Sequence, residues 1–215
     1  MFTISLLGQK GGTGKTTVSL GLAVAAIRAG KVVAVIDLDP QASAANWSDR
    51  RADANPAVVS AQSSRLKQTL ASAQGLGAEI VIIDTAGRSD DTALNAARLS
   101  DLVLIPTRTN IVELEALPAA SDILRLAGNP KAFVVFNGIH PSATRQAADA
   151  RALVNNTFGL ECAPVHLCHR SAYADAMATG RTPQELDEEG RAAAELDALF
   201  QFSIEFVNNR TAEHV

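Results

Sequence analysis

The sequence predicts an α/β fold, a doubly wound, mostly parallel sheet with helices on both faces. Three observations predict it. Continuous apolar runs, Val32–Ile36, Ile80–Ile83, Leu102–Ile105 and Ala132–Phe136, alternate with stretches of helical periodicity, and an unbroken apolar strand is one buried on both faces. Several of these runs end in a polar residue, notably Asp37, Asp84 and Asn137. That places side-chain chemistry at the carboxyl edge of the sheet, where open α/β folds bind ligands. The first strand runs straight into a glycine-rich turn, residues 8–17, that opens a helix.

The elements follow in order. Thr3–Leu7 is the first strand. Lys15–Ala29 is the first helix, with Val18, Leu22, Ala25, Ala26 and Ala29 on one face and Gly30 as its stop. After the strand Val32–Ile36 come a short helix, Ala42–Arg51, holding the single tryptophan Trp47, and a short strand, Ala57–Ser60. Ser63–Gln74 is a helix with Leu66, Leu70 and Ala73 on one face, broken by Gly75 and Gly77. Ile80–Ile83 is a buried strand, Ser89–Leu99 a helix, and Leu102–Ile105 a strand stopped by Pro106. Pro118 inside the helical stretch Ile111–Leu126 predicts a kink or a late start. Ala132–Phe136 is a strand, Ala143–Phe158 a helix and Glu161–Val165 a short last strand. A loop of small residues, His169–Thr182, precedes the final helix, Glu188–Val207, and the polar tail 208–215 is expected to fray. With no repeat or linker in view, residues 1–215 read as one domain.

Gly11, Gly12 and Gly14 let backbone N–H groups curl around an anion without a Cβ in the way. The helix behind them turns its free N–H groups and positive dipole end to the same anion. Lys15 can reach the outer phosphates as a point charge, and Thr16 can give its hydroxyl to Mg²⁺. The general G-x-x-x-x-G-K-[ST] pattern is only partly met: Gln9 stands where its first glycine should be, and a second lysine, Lys10, lies inside the loop. Four apolar residues ending in Asp84 make a Walker B pattern, a strand-tip carboxylate able to hold a water on Mg²⁺.

Lys10-Gly11-Gly12-x-Gly14-Lys15-Thr16 is the deviant Walker A signature, and with it the chain resembles the ParA/MinD family of P-loop ATPases. Asp37-Leu38-Asp39-Pro40-Gln41 is similar to the stretch after the second strand of ParA proteins. Asn46-Trp47, Ser100–Pro106 and a length that leaves no room for an N-terminal DNA-binding domain resemble the small ParF-like plasmid partition ATPases. The resemblance implies ATP and Mg²⁺ as cofactors and a homodimer on ATP binding, with room for higher assemblies. Lys10, Lys15 and Asp39 would be catalytic, Lys10 by touching phosphate across the dimer and Asp39 by orienting the attacking water. Gly11, Gly12, Thr13, Gly14, Lys15, Thr16 and Thr17 would wrap the phosphates. Thr16 would bind the metal directly, and Asp37 and Asp84 through water. Asn137 lies where the family often places an adenine contact. Plainer readings stand beside these: a solvated Lys10, an Asp-Pro turn at Asp39 and an Asn-Gly turn at Asn137.

The resemblance further implies a slow ATPase stimulated by a ParB/ParG-like centromere-binding partner. It would bind DNA non-specifically through Arg145, Arg151, Arg170 and Arg181, and segregate plasmid or chromosomal cargo while cytoplasmic and nucleoid-associated. Arg88 lies where a switch loop should move. The alternatives are a MinD-like membrane or cell-position ATPase and a positioning ATPase for a non-DNA cargo. The membrane version wants a basic amphipathic C-terminal helix, whereas this one carries Glu195, Asp197 and Glu205.

Composition narrows the field. A net charge of −4 argues against a uniformly basic nucleic-acid coat. Cys162 and Cys168 make neither a disulfide framework nor a usual zinc or redox motif. They also lie in the wrong region for cluster ligands at a dimer interface, as a nitrogenase-iron-protein-like ATPase would need. One tyrosine, Tyr173, does not supply the tail of a tyrosine autokinase, and Phe136-Asn137-Gly138-Ile139 lacks the Asn-Lys-x-Asp of a GTPase. No signal peptide or membrane span is visible, so the protein reads as soluble.

Overall fold

The computed structural model of the chain describes residues 1–87 and 89–213; Arg88 and the last two residues of the tail lie outside the described residues. The chain begins with β1 (Phe2–Leu6), which leads through the glycine loop to α1 (Lys15–Arg28). There follow β2 (Val33–Asp37), α2 (Ser43–Asp49), β3 (Ala57–Ser60), α3 (Leu66–Gly75), β4 (Ile80–Asp84), α4 (Asp90–Arg98) and β5 (Leu102–Thr107). Then come α5 (Ile111–Leu114), α6 (Leu117–Leu126), β6 (Ala132–Ile139) and α7 (Thr144–Leu153), which runs on as a π-helical turn, Val154–Phe158. The short strands β7 (Glu161–Cys162) and β8 (Leu167–Cys168) precede α8 (Ser171–Ala178), α9 (Pro183–Leu186) and α10 (Arg191–Glu213).

The sheet order is β3-β2-β4-β1-β5-β6-β7, with β8 pairing the far end of β6. Every pairing among the described residues is parallel. After β1 the chain builds β2, β3 and β4 on one side and β5, β6 and β7 on the other. The topology therefore reverses at β1, and a crevice opens at its carboxyl end. The loop 8–14 sits there.

Strand parity then decides which face each tip residue takes. Ile4, Leu6, Val33, Val35, Ile80, Ile82, Leu102, Leu104, Phe133 and Val135 pack with α1, α2 and α10. Val81, Ile83, Val103, Ile105, Val134 and Phe136 pack on the other face with α3, α4, α6 and α7. Counting on by two, Asp37, Asp84 and Asn137 all project to the α1 face. The register sets Asp37 beside Asp84, and Asp84 beside Leu6.

Three stretches differ from expectation. The first helix is buried along most of its length instead of on one face, because α10 covers its outer side; Ala29 is exposed. A Cβ on Gly21 would lie 2.6 Å from Leu196, so the two helices touch where α1 has no side chain. The expected loop His169–Thr182 contains α8: its alanines are strong helix formers, not loop fillers. The expected fraying from Asn208 is not seen to Glu213, since α10 continues that far. At Pro118 the late start holds, α5 ending at Leu114 and α6 beginning at Leu117. Among the described residues no helix is long and apolar enough to cross a membrane.

Candidate nucleotide site

Three carbonyls of the loop are held by side-chain donors. Gly12 and Gly14 take left-handed conformations, φ 77° and 95°. Lys15 Nζ donates to the Lys10 carbonyl at 3.1 Å, Arg108 Nη2 to the Gly12 carbonyl at 3.2 Å, and Asn137 Nδ2 to the Thr13 carbonyl at 2.8 Å. Three donors thus fix three carbonyls and leave the loop's N–H groups to face an anion, the geometry of a phosphate nest. Asn137 is therefore a support of the loop, from β6 and across 124 residues of sequence. Arg108 was not a sequence candidate. Nothing near it in the chain marks it, because its partner is 96 residues away.

Lys15 is buried, and burial pulls its ammonium below the ordinary lysine value against the opposing pull of Asp84 and Asp39. A desolvated cation flanked by acids is suited to an incoming polyphosphate, which brings the charge it lacks. Lys10 behaves differently. Its Nζ donates to the Val112 carbonyl on α5, so it engages the rim of the crevice and not the interior of its own loop. Ile111 and Val112 beside it are 56% and 60% exposed, an apolar edge next to an unspent charge.

The two strand-tip acids do different things. Asp37 accepts from the backbone N–H groups of Asp39, Ala44 and Ala45 at 3.0–3.1 Å. It holds the β2–α2 turn and caps α2, which leaves little of its acceptor capacity for a metal-bound water. Asp39 accepts from Gln41 N at 2.9 Å through Oδ1, an Asx turn that leaves Oδ2 for a water. Asp84 is fully buried; Ser19 Oγ donates to its Oδ1 at 3.2 Å, and its Oδ2 has no partner among the described residues. An orphaned carboxylate oxygen beside the Thr16 hydroxyl fits Mg²⁺, which keeps several waters and takes one or two carboxylates plus phosphate oxygens.

Burial pushes the Asp84 carboxyl up to about 7, with Asp37 adding to the rise and the Thr16, Lys15 and Ser19 contacts opposing it. The raised value means that the folded state binds a proton more tightly than the unfolded chain does. Stability therefore falls as pH rises from about 4 to about 7 and levels off above that, by on the order of a few kcal/mol. Asp84→Asn is expected to flatten this slope in denaturant titrations at pH 4, 5.5 and 7.5. An unchanged slope would assign it to other groups.

The arginines expected to bind DNA do not form one surface. Arg151 spends both terminal nitrogens on the carbonyls of Cys162 and Ala163, at 3.2 and 2.8 Å. Arg170 is paired with Glu195. Both are held by the fold, because packing gives each a partner that charge counting cannot see. Arg145 and Arg181 are exposed, but α7 lies on one face of the sheet and the α8–α9 corner on the other. At that corner the Arg181 carbonyl accepts from Trp47 Nε1 at 2.9 Å.

Comparison with known proteins gives the family and the fold. A protein named maintenance of carboxysome distribution protein A, from Halothiobacillus neapolitanus, is 28% identical over 203 residues, 90% of this chain and 92% of its own. Protein ParA of Rhizobium radiobacter is 26% identical over 218 residues, 95% of each chain. The septum site-determining protein MinD of Pyrococcus horikoshii, solved with Mg-ADP, superposes with a TM-score of 0.71 at 16% identity, covering 93% of this chain and 94% of that one. These relatives point to the ParA/MinD group at large and not specifically to the ParF-like proteins that Asn46-Trp47 resembles. Residues 4–183 match the family described as the CobQ/CobB/MinD/ParA nucleotide binding domain, and the chain belongs to that family.

Proposed function

We propose that the chain is a positioning ATPase: Mg-ATP closes two copies face to face, and hydrolysis, stimulated by a cargo-borne partner, resets them. The observation that carries this is Lys10, a loop lysine engaged at the exposed, apolar-edged rim of the crevice instead of on its own loop. Lys15, the loop N–H groups and Thr17 bind the phosphates in cis. Thr16, with Asp84 through water, would hold Mg²⁺; Asp37 keeps the turn that presents Asp39. When bound, the metal neutralises charge on the phosphate oxygens, which is most of what phosphoryl transfer asks of a protein. Asp39 Oδ2 orients the attacking water, and Lys10 supplies the second cation only after a partner copy arrives. Hydrolysis is then tied to assembly, so the nucleotide acts as a switch.

The cargo reading favoured is transport of a protein-bearing body, since the relative named for carboxysome distribution spans nearly the whole chain and two of the four candidate DNA arginines, Arg151 and Arg170, have partners within the fold. Partition of a replicon over DNA is the second reading, supported by the ParA relative. ATP turnover and salt-dependent retention on plain duplex DNA separate them. Retention that appears only with ATP and falls steeply with salt supports a DNA track. ATP-bound protein that ignores DNA removes that track and leaves cargo binding. Sedimentation with anionic vesicles instead would move the reading to a membrane.

A further inference from the structure

Gln9 stands where a general phosphate loop has glycine, and the reading above gives its side chain no task. The structure gives it a bond outside the loop: Nε2 donates to Asp90 Oδ1 at 2.8 Å, and Asp90 is the first residue of α4. Two further ties join the same segments. Thr85 Oγ1 donates to the Leu6 carbonyl at 2.7 Å. Gly87 lies against the loop backbone so closely that a Cβ would come within 3.0 Å of Gly11 N and the Lys10 carbonyl carbon. The chain leaving Asp84 is thus bonded to the end of β1, lies close against the loop backbone at Gly87, and is bonded to the loop by Gln9–Asp90, the contact that reaches a helix.

Asp90 is exposed and Gln9 half-buried. A hydrogen bond in that setting adds little to folding, so its value lies in what it connects. Downstream, Ala93 and Ala96 of α4 pack into the core with Ala120 and Ile123 of α6. The Gln9–Asp90 bond therefore connects the phosphate loop to the start of α4 and, through its packing, to that helix pair.

We infer that Gln9 and Asp90 are a positioning pair that transmits the loading of the phosphate loop to α4. This rests on the Mg-ATP reading above. The Gln9 amide is engaged by the Asp90 carboxylate, so loss of either side chain is expected to change turnover and coupling more than affinity.

The test uses Gln9→Ala, Asp90→Ala and the double variant. Asp91→Ala is the control, sharing the acidic first turn of α4 without a bond to the loop. Hydrogen exchange of the α4 amides is measured with and without Mg-AMPPNP, alongside kcat and KM for Mg-ATP. Wild type and Asp91→Ala gain protection in α4 on loading, whereas Gln9→Ala and Asp90→Ala do not. In those two, kcat falls about 5- to 10-fold with KM within about two-fold, and the double variant is no worse than either single. Wild-type protection in the single variants, additive losses in the double, or an Asp91→Ala matching Asp90→Ala overturns the inference. A wild type that neither binds Mg-AMPPNP nor hydrolyses ATP overturns the reading of the site, and the inference falls with it.

Discussion

Lys10→Ala is expected to leave Mg-ATP affinity within about three-fold of wild type and to cut turnover by roughly 100-fold or more, the scale of a cation supplied in trans to a phosphoryl transfer. The asymmetry follows from where the two loop lysines stand. Lys15 is buried under the loop and donates to the Lys10 carbonyl, so Lys15→Ala removes cis binding and raises the dissociation constant itself. Lys10 holds on to α5 through one carbonyl, and releasing it costs little. Lys10→Glu goes further, setting a carboxylate against the partner's phosphates, and should abolish ATP-driven dimers outright. Sedimentation velocity with Mg-AMPPNP reads the dimer, and single-turnover hydrolysis reads the chemistry. Dimers that survive Lys10→Glu would show that the lysine acts within its own subunit or not at all.

The parts of this site that could be read from the sequence are those that depend on local order. A glycine loop between strand and helix, and acids at strand tips, are visible because each needs only neighbours in the chain. That Asp37, Asp84 and Asn137 share one face follows from the packing and register of the strands and not from the sequence. What could not be read is pairing across long separations. Arg108 serves Gly12, Ser19 serves Asp84, and Gln9 serves Asp90, and no periodicity announces any of them. The partners of Arg151 and Arg170, made by the β7–β8 corner and α10, are invisible in the sequence for the same reason. Helix α8 is missed for a different reason: Ser171–Ala178 spans only about two turns, and its alanines, strong helix formers, resemble loop residues when judged by size alone.

Gly14→Ala should be far more damaging than Gly12→Ala, although both glycines have positive φ. At Gly12 an added Cβ meets no atom within 4 Å, so the substitution faces only the left-handed backbone, about 1–3 kcal/mol. At Gly14 the Cβ would lie 2.1 Å from Asn137 Nδ2, the atom that holds the Thr13 carbonyl. Asn137 must leave, the carbonyl is freed to turn inward, and the phosphate nest loses its orientation at the N-terminus of α1. Binding of Mg-AMPPNP is expected to weaken by roughly 100-fold or more, combining backbone strain with a lost buried hydrogen bond. Asn137→Ala alone forfeits the bond without the strain and should cost about 5- to 10-fold in affinity. The double variant Gly14→Ala/Asn137→Ala removes a side chain that Gly14→Ala has already displaced, so it should bind no worse than Gly14→Ala alone. Calorimetric titration of the three variants decides the matter: if the Asn137→Ala loss adds in full to that of Gly14→Ala, the added Cβ does not displace Asn137 and the strain acts alone.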